Sequence, residues 1–292
     1  MQVHLVDGTY ELFRHHFAVP SHLDPDGMEV AAVRGVVGTV MTMLEDGATH
    51  LGVATDHVIE SFRNGLWPGY KTSAGMDPEL LAQFPLLEDA LVALGVCVWP
   101  MVDQEADDAL AAAAAVASAD PQVEQVLVCT PDKDLAQCVV DPRVAQLDRR
   151  NRRLLDEGAV REKFGVAPAS IPDWLALVGD SADGFPGLPG WGAKSAAAVL
   201  AEYEHIDAIP DDAELWKVKV RGAAKLAGTL VEQREAAQLF LTLATLRTDA
   251  PVGTVAEWRW QGPTAELAGW GERLGSPNLV NRAERLAERR AS

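Results

Sequence analysis

Short apolar runs of strand length alternate along the first half of the chain with longer segments of helical period. Residues 3–6, 50–55, 96–99, 125–130 and 143–147 read as strands, and 28–45, 78–94, 105–118 and the shorter 134–139 as helices. Apolar strands joined by helical crossovers imply a parallel sheet covered on both faces. From Glu157 the strand signals stop, and helical ones continue to Leu246. The expected architecture is α/β: a parallel-sheet core over 1–165, a helical region over 166–250 and an extension over 251–292. That extension carries Trp258, Trp260 and Trp270 before an Arg/Glu-rich end, and is expected to pack loosely and fray.

Composition excludes several classes. A chain of 292 residues that is 48% hydrophobic can bury one large core or two modest ones. No run approaches the roughly 18 apolar residues of a membrane span; the alanine-rich stretch 109–117 is too short and reads as a buried helix. The start, Met1-Gln2-Val3-His4, has no basic leader or cleavage site. Cys97, Cys129 and Cys138 are odd in number and form no C-x-x-C pair, as expected of buried thiols in a reducing cytoplasm. A formal charge of −18 argues against a protein that coats nucleic acid nonspecifically. It is compatible with carboxylates gathered around metal ions while basic residues elsewhere hold phosphates.

The strand ends locate those carboxylates. The first strand ends at Asp7 and the second at Asp56; the third is followed by Asp103-Gln104-Glu105-Ala106-Asp107-Asp108, the fourth by Thr130-Pro131-Asp132-Lys133-Asp134. Ligands bind outside the carboxyl ends of strands in an open parallel sheet. Gly179-Asp180-Ser181-Ala182-Asp183 adds a further pair from the helical region. Glu105 and Asp108 stand three apart at a helix start and share a face; Asp132 and Asp134 project together beyond a strand, and Asp180 and Asp183 again stand three apart. Taken singly, each acid is more often a helix cap than a ligand. Taken together, Asp7, Asp56, Glu105, Asp107, Asp108, Asp132, Asp134, Asp180 and Asp183 would repel one another unless cations neutralised them. Oxygen-only donors favour a hard ion such as Mg²⁺ or Mn²⁺.

With those residues in view, the chain resembles the 5′ nuclease family: flap endonucleases and the 5′→3′ exonuclease domain of bacterial DNA polymerase I. The resemblance runs from Leu5 to about Val252. It is carried by Val6-Asp7-Gly8 with Phe13-Arg14, Ser61-Phe62-Arg63 with Gly69-Tyr70-Lys71, Glu105-Ala106-Asp107-Asp108, Thr130-Pro131-Asp132-Lys133-Asp134-Leu135, Gly179-Asp180-Ser181-Ala182-Asp183 and Leu246-Arg247-Thr248-Asp249. It implies a PIN-like nuclease core and a metal-binding acid at each of the nine positions, with two or more ions. It also implies a segment around Lys71 that arches over the active site. Two positions depart from the family pattern: Ala74 stands where an Arg is common, and Gly184 where an Asn follows the last metal-binding Asp. No polymerase follows Ser292, so a free-standing nuclease is expected.

Phe185-Pro186-Gly187-Leu188-Pro189-Gly190-Trp191-Gly192-Ala193-Lys194-Ser195 resembles the hairpin of a helix–hairpin–helix DNA-binding motif. Its glycines let backbone approach a phosphate, and the following helix start offers N–H donors; family members often hold K⁺ there. The near match to a P-loop fails, because one residue too many separates Gly187 from Lys194 and no strand precedes it. Trp191 is expected to pack beneath the hairpin. Arg14, Arg63, Lys71, Lys133, Gly187, Gly190, Gly192, Lys194 and Ser195 are the expected DNA contacts, and Lys71, Arg63 and Asp134 the expected catalytic set. The basic stretches Lys217-x-Lys219-x-Arg221 with Lys225, and Arg149-Arg150-Asn151-Arg152-Arg153, divide evenly between phosphate contacts and solvated surface.

The expected activity is two-metal hydrolysis of DNA by a monomer that recognises 5′ flaps, nicks or recessed 5′ ends by shape. The alternatives are a DNA-structure-binding protein whose catalysis has lapsed and a PIN-domain ribonuclease.

Overall fold

The computed structural model describes residues 1–291. Two compact units make up the chain: Met1–Ile59, Ser73–Thr130 and Thr248–Ser292 in the first, Glu60–Thr72 and Pro131–Arg247 in the second. The strands are β1 (Gln2–Asp7), β2 (His50–Asp56), β3 (Cys97–Met101), β4 (Gln125–Cys129), β5 (Val144–Asp148) and β6 (Arg153–Leu155). The helices are α1 (Gly8–His16), α2 (Ala31–Glu45), α3 (Phe62–Leu66), α4 (Pro78–Leu81), α5 (Gln83–Ala93), α6 (Ala106–Ala119), α7 (Glu157–Phe164), α8 (Ile171–Val178), α9 (Ala193–Tyr203), α10 (Ala223–Glu232), α11 (Arg234–Ala244), α12 (Leu267–Arg273) and α13 (Asn278–Ala291). Among the described residues, no helix is long and apolar enough to cross a membrane.

In the first unit, four parallel strands lie in the order β3-β2-β1-β4, with Asp7 beside Ala54 and Asp56 beside Met101. Val3, Leu5, Val6, Val53 and Ala54 are fully buried, as a sheet covered on both faces requires. Gly52 leaves room for the Trp99 ring: a Cβ there would lie 2.1 Å from the indole. The alanine-rich α6 packs close to β1, β2 and β4, because its small side chains let helix and sheet approach. The expected helix 78–94 is divided into α4 and α5. Pro85 lies in the first turn of α5, and its missing N–H and ring oppose an unbroken helix through 81.

The expectation of a fraying C-terminus is corrected. Trp258 and Trp260 are buried, their indole N–H groups donating to Val252 O (2.8 Å) and Leu94 O (2.8 Å), and Trp258 stands edge-on to Trp99. In α13, Leu279, Ala283 and Leu286 recur at helical spacing and are buried, while Arg282 pairs with Glu45 at 2.6 Å. The Arg/Glu content that suggested a solvated end is the outer face of an amphipathic helix.

The second unit pairs β5 with β6 antiparallel and surrounds them with helices. Its core gathers Leu175, Leu177, Phe185, Trp191, Val199, Leu200, Leu230 and Phe240, with Phe185 stacked on Phe240 at 5.7 Å. β6 is a strand that basic composition concealed.

Replacing Trp258 by Ala removes a fully buried ring and should cost about 3–5 kcal/mol of stability in denaturant unfolding. A loss below about 1 kcal/mol would show that residues 251–291 do not belong to the core.

Candidate metal centre

Each unit carries its own set of acids. In the first, Asp7 ends β1 and caps α1: its Oδ1 accepts from Tyr10 N (2.8 Å) and its Oδ2 from Thr130 Oγ1 (2.9 Å). Asp56 ends β2; its N–H donates to Thr9 Oγ1 (2.8 Å), and its Oδ1 accepts from Ala106 N (2.7 Å). Glu105 opens α6 in a capping box with Asp108, whose Oδ2 accepts from Glu105 N at 3.0 Å. Asp7, Asp56, Glu105 and Asp108 are all buried and Asp107 half-buried. Cap and ligand are therefore not alternatives at these positions. A capping carboxylate is held in place by its hydrogen bond and keeps lone pairs for a cation.

In the second unit, Asp134 opens a 3-10 turn and its N–H donates to Asp132 Oδ1 at 3.2 Å. Asp180 organises the next loop. It accepts on its carbonyl from Gly184 N and Phe185 N, donates its own N–H to Phe185 O, and takes Ala182 N on Oδ1 at 2.9 Å. Gly184 makes this turn with φ +83°, and a Cβ there would lie 2.0 Å from Gly69 O. That backbone, rather than a lost function, accounts for glycine in place of the family's Asn. Trp67 Nε1 donates to Gly184 O at 3.0 Å, and Lys71 N to Asp183 O at 3.0 Å. The stretch with Lys71, expected as part of an arch, is thus anchored to the Asp180–Asp183 loop.

Carboxylate oxygens of Asp134, Asp180 and Asp183 lie within 4.8 Å of one another. Among the described residues of this unit these three form the tight group, and Asp132 stands outside it. Lys133 Nζ is 2.5 Å from Asp180 Oδ2 and 3.9 Å from Asp134 Oδ1, and Lys71 Nζ is 3.1 Å from Asp183 Oδ1. Burial, and then the charges of Asp132, Asp183 and Asp180, push the Asp134 carboxyl well above the usual range, against a pull from Lys133. Burial pulls the Lys133 ammonium down, but the bond to Asp180 and the surrounding carboxylates outweigh it and hold it above its ordinary value. Asp134 Oδ1 is buried without a hydrogen-bond partner. An orphaned oxygen among three converging carboxylates fits a hard divalent cation.

The Asp180–Asp183 loop leads directly into the glycine hairpin. Gly187 (φ +69°) lies so close to the end of α8 that a Cβ would meet Gly179 N at 2.3 Å. Gly190 is also left-handed, and Gly192 caps α9, its N–H donating to Ser195 Oγ at 3.0 Å. Gly190 and Lys194 are exposed and Ser195 half-buried. Trp191 is buried and donates to Leu226 O at 3.2 Å, so it packs beneath the hairpin as expected.

One expected cationic contact needs revision. Arg63 is 1% exposed, and its guanidinium donates to Leu243 O (2.8 Å) and Thr245 O (3.2 Å). It clamps the end of α11 and is not presented to a phosphate. Arg14 is partly exposed but paired with the buried Glu11. Sequence reasoning passed over Thr9, Thr130 and Gln146. Gln146, fully buried in β5, donates its amide to Asp132 O; a polar residue inside an apolar strand was its signal.

Acids thus end parallel strands of the first unit, and in the second a carboxylate cluster leads into the glycine hairpin before α9. Residues 2–165 match the family described as 5′-3′ exonuclease, N-terminal resolvase-like domain, and residues 166–266 the 5′-3′ exonuclease, C-terminal SAM fold. DNA polymerase I of Bacillus subtilis (strain 168) is 33% identical over 264 residues, covering 88% of this chain and 29% of the polymerase. The chain therefore spans under a third of that relative's length. Among solved structures, zinc-bound T5 5′-exonuclease superposes with a TM-score of 0.67 at 19% identity, over 99% of both chains. The catalytic core of Rad2 in complex with DNA substrate does so at 0.63 and 16% identity, over 98% of this chain and 90% of that one. The chain belongs to the 5′-3′ exonuclease family.

A carboxyl whose folded pKa is raised holds a proton that the unfolded chain has released, so its contribution to stability falls as pH rises above the ordinary value of 3.8. In EDTA, wild-type Tm should therefore drop relative to Asp134→Asn as pH rises above 3.8. Mg²⁺ should raise the wild-type Tm by several degrees and the variant's by clearly less. Parallel pH curves, or an equal Mg²⁺ shift in both proteins, would contradict the cluster.

Proposed function

We propose that this chain hydrolyses phosphodiester bonds in DNA at 5′ flaps, nicks and recessed 5′ ends, using Mg²⁺ or Mn²⁺. The observation that carries this is the cluster of Asp134, Asp180 and Asp183 around an unsatisfied buried oxygen, set on the loop that leads into a glycine hairpin. Those three residues would hold one ion. Asp132 and the ordered, buried acids Asp7, Asp56, Glu105 and Asp108, with Asp107, are the donors we assign to further ions. When bound, such ions supply a Lewis acid to the phosphate and acidify water at neutral pH.

The chain's own groups do the rest. Lys71 and Lys133 place ammonium charge beside the cluster, where negative charge on a phosphate develops during displacement. Arg63 acts as a positioning residue, fixing α3 and hence the stretch that ends at Lys71. The exposed backbone of Gly190 and the half-buried Gly192, with Lys194 and Ser195 at the start of α9, is suited to duplex phosphates and to a K⁺ ion beside them. We assign the chain as a monomer. Cys97, Cys129 and Cys138, with no C-x-x-C pair among them, suit the cytoplasm.

A lapsed catalyst would be expected to have lost a ligand, and all nine candidate acids are present. The helix–hairpin–helix favours DNA over the RNA substrate of a PIN-type ribonuclease. Matched DNA and RNA flap oligonucleotides, incubated with Mg²⁺ or EDTA, should give Mg²⁺-dependent cutting of DNA alone. Asp134→Ala should abolish cutting and leave flap binding largely intact, and Lys71→Ala should lower kcat by about 10²–10³-fold. Cutting in EDTA, full activity of Asp134→Ala, or preference for RNA would sink the proposal.

A further inference from the structure

Basic residues are outnumbered in this acidic chain: Lys and Arg together number 25 against 43 acids. Yet four arginines occupy five consecutive positions, 149–153, at the turn between β5 and β6. The turn is well ordered. Asp148 accepts from Asn151 N (3.0 Å) and from its side-chain amide (2.7 Å), and Asp148 faces Arg153 across the ladder. Arg149 is half-buried, whereas Arg150, Arg152 and Arg153 are exposed. Arg152 has φ +51°, a conformation that favours Gly or Asn. A turn selected only for closure would place one of those residues there.

The basic character continues beyond the turn. Lys163, near the end of α7, which packs on β6, holds its ammonium 4.8 Å from the Phe164 ring. Partial desolvation and then the charge of Arg153 lower the pKa of Lys163, and Asp132, Asp148 and Lys133 also act on it. Lys163 therefore stands within electrostatic reach both of the turn and of the residues flanking the carboxylate cluster. Crowded like charges are unfavourable in isolation and become favourable when a polyanion lies across them.

We propose that the β5–β6 turn, through Arg150, Arg152 and Arg153 with Lys163 beside it, is a second contact for nucleic-acid phosphates, gripping backbone outside the carboxylate cluster. It rests on the assignment of DNA as substrate. It carries no sequence information, because guanidinium–phosphate contacts position a duplex without reading its bases. Each phosphate neutralised releases counterion, so the contact is visible in the salt dependence of binding.

The test is fluorescence anisotropy with a labelled DNA flap in EDTA, across a range of salt concentrations. The proteins compared are wild type, Arg150→Ala/Arg152→Ala/Arg153→Ala, and a control, Arg259→Ala/Arg285→Ala/Arg289→Ala, with the same change in charge at exposed positions of the other unit. The turn variant should lose about 2–3 from the slope of log K against log salt, roughly one per contact, and bind at least tenfold more weakly near physiological salt. The control should keep the wild-type slope, and Arg150→Lys/Arg152→Lys/Arg153→Lys should restore it. An unchanged slope in the turn variant, or an equal loss in the control, would overturn the inference. Wild type that binds DNA but never cuts it would defeat the nuclease assignment and leave this contact standing.

Discussion

Mutual repulsion among buried carboxylates is the constraint on which the second unit is built. Asp134, Asp180 and Asp183 bring oxygens within 4.8 Å of one another in a site that largely excludes water. Such an arrangement costs free energy unless positive charge offsets it. The protein supplies two ammonium groups, Lys133 on Asp180 and Lys71 on Asp183, and even so burial and neighbouring charge keep Asp134 above the usual carboxylate range. The offset is therefore incomplete, as expected of a site that stores affinity for a cation. A structural salt-bridge network would have satisfied Asp134 Oδ1.

Backbone geometry makes that crowding possible. Glycines at 179, 184 and 187 adopt left-handed angles, and at each a Cβ would run into main-chain atoms. The loop can therefore fold tightly enough to present Asp180 and Asp183 together and then turn at once into the hairpin before α9. Within this unit the Asp180–Asp183 loop and the glycine hairpin are one continuous piece of chain. In the first unit the equivalent economy is achieved by capping: Asp7 and Asp56, at adjacent strand ends, organise the starts of α1 and α6 with the same side chains that face the sheet edge.

Much of this was legible before any coordinates. The strands were marked by apolar runs, and the acids by their place at strand ends, because a parallel sheet imposes both patterns locally. What depends on distant partners was less visible. Arg63 lies in a family motif and reads as a phosphate ligand, but only the fold reveals that the carbonyls of Leu243 and Thr245 take its guanidinium. The C-terminal tryptophans have no helical period of their own, so their burial against Trp99 and Leu94 could not be inferred from spacing. β6 was hidden because its neighbouring arginines dominate a composition-based reading, whereas ladder pairing with β5 decides its conformation.

The most direct test of the account is to locate the cation. Crystals soaked in Mn²⁺ and measured for anomalous scattering should give a peak about 2.1 Å from carboxylate oxygens of Asp134, Asp180 and Asp183, with Lys133 and Lys71 withdrawn from their present partners. A map with no peak there, and the two lysines still seated on Asp180 and Asp183, would mean that the cluster is a salt-bridge network and that the nuclease chemistry assigned to it is wrong.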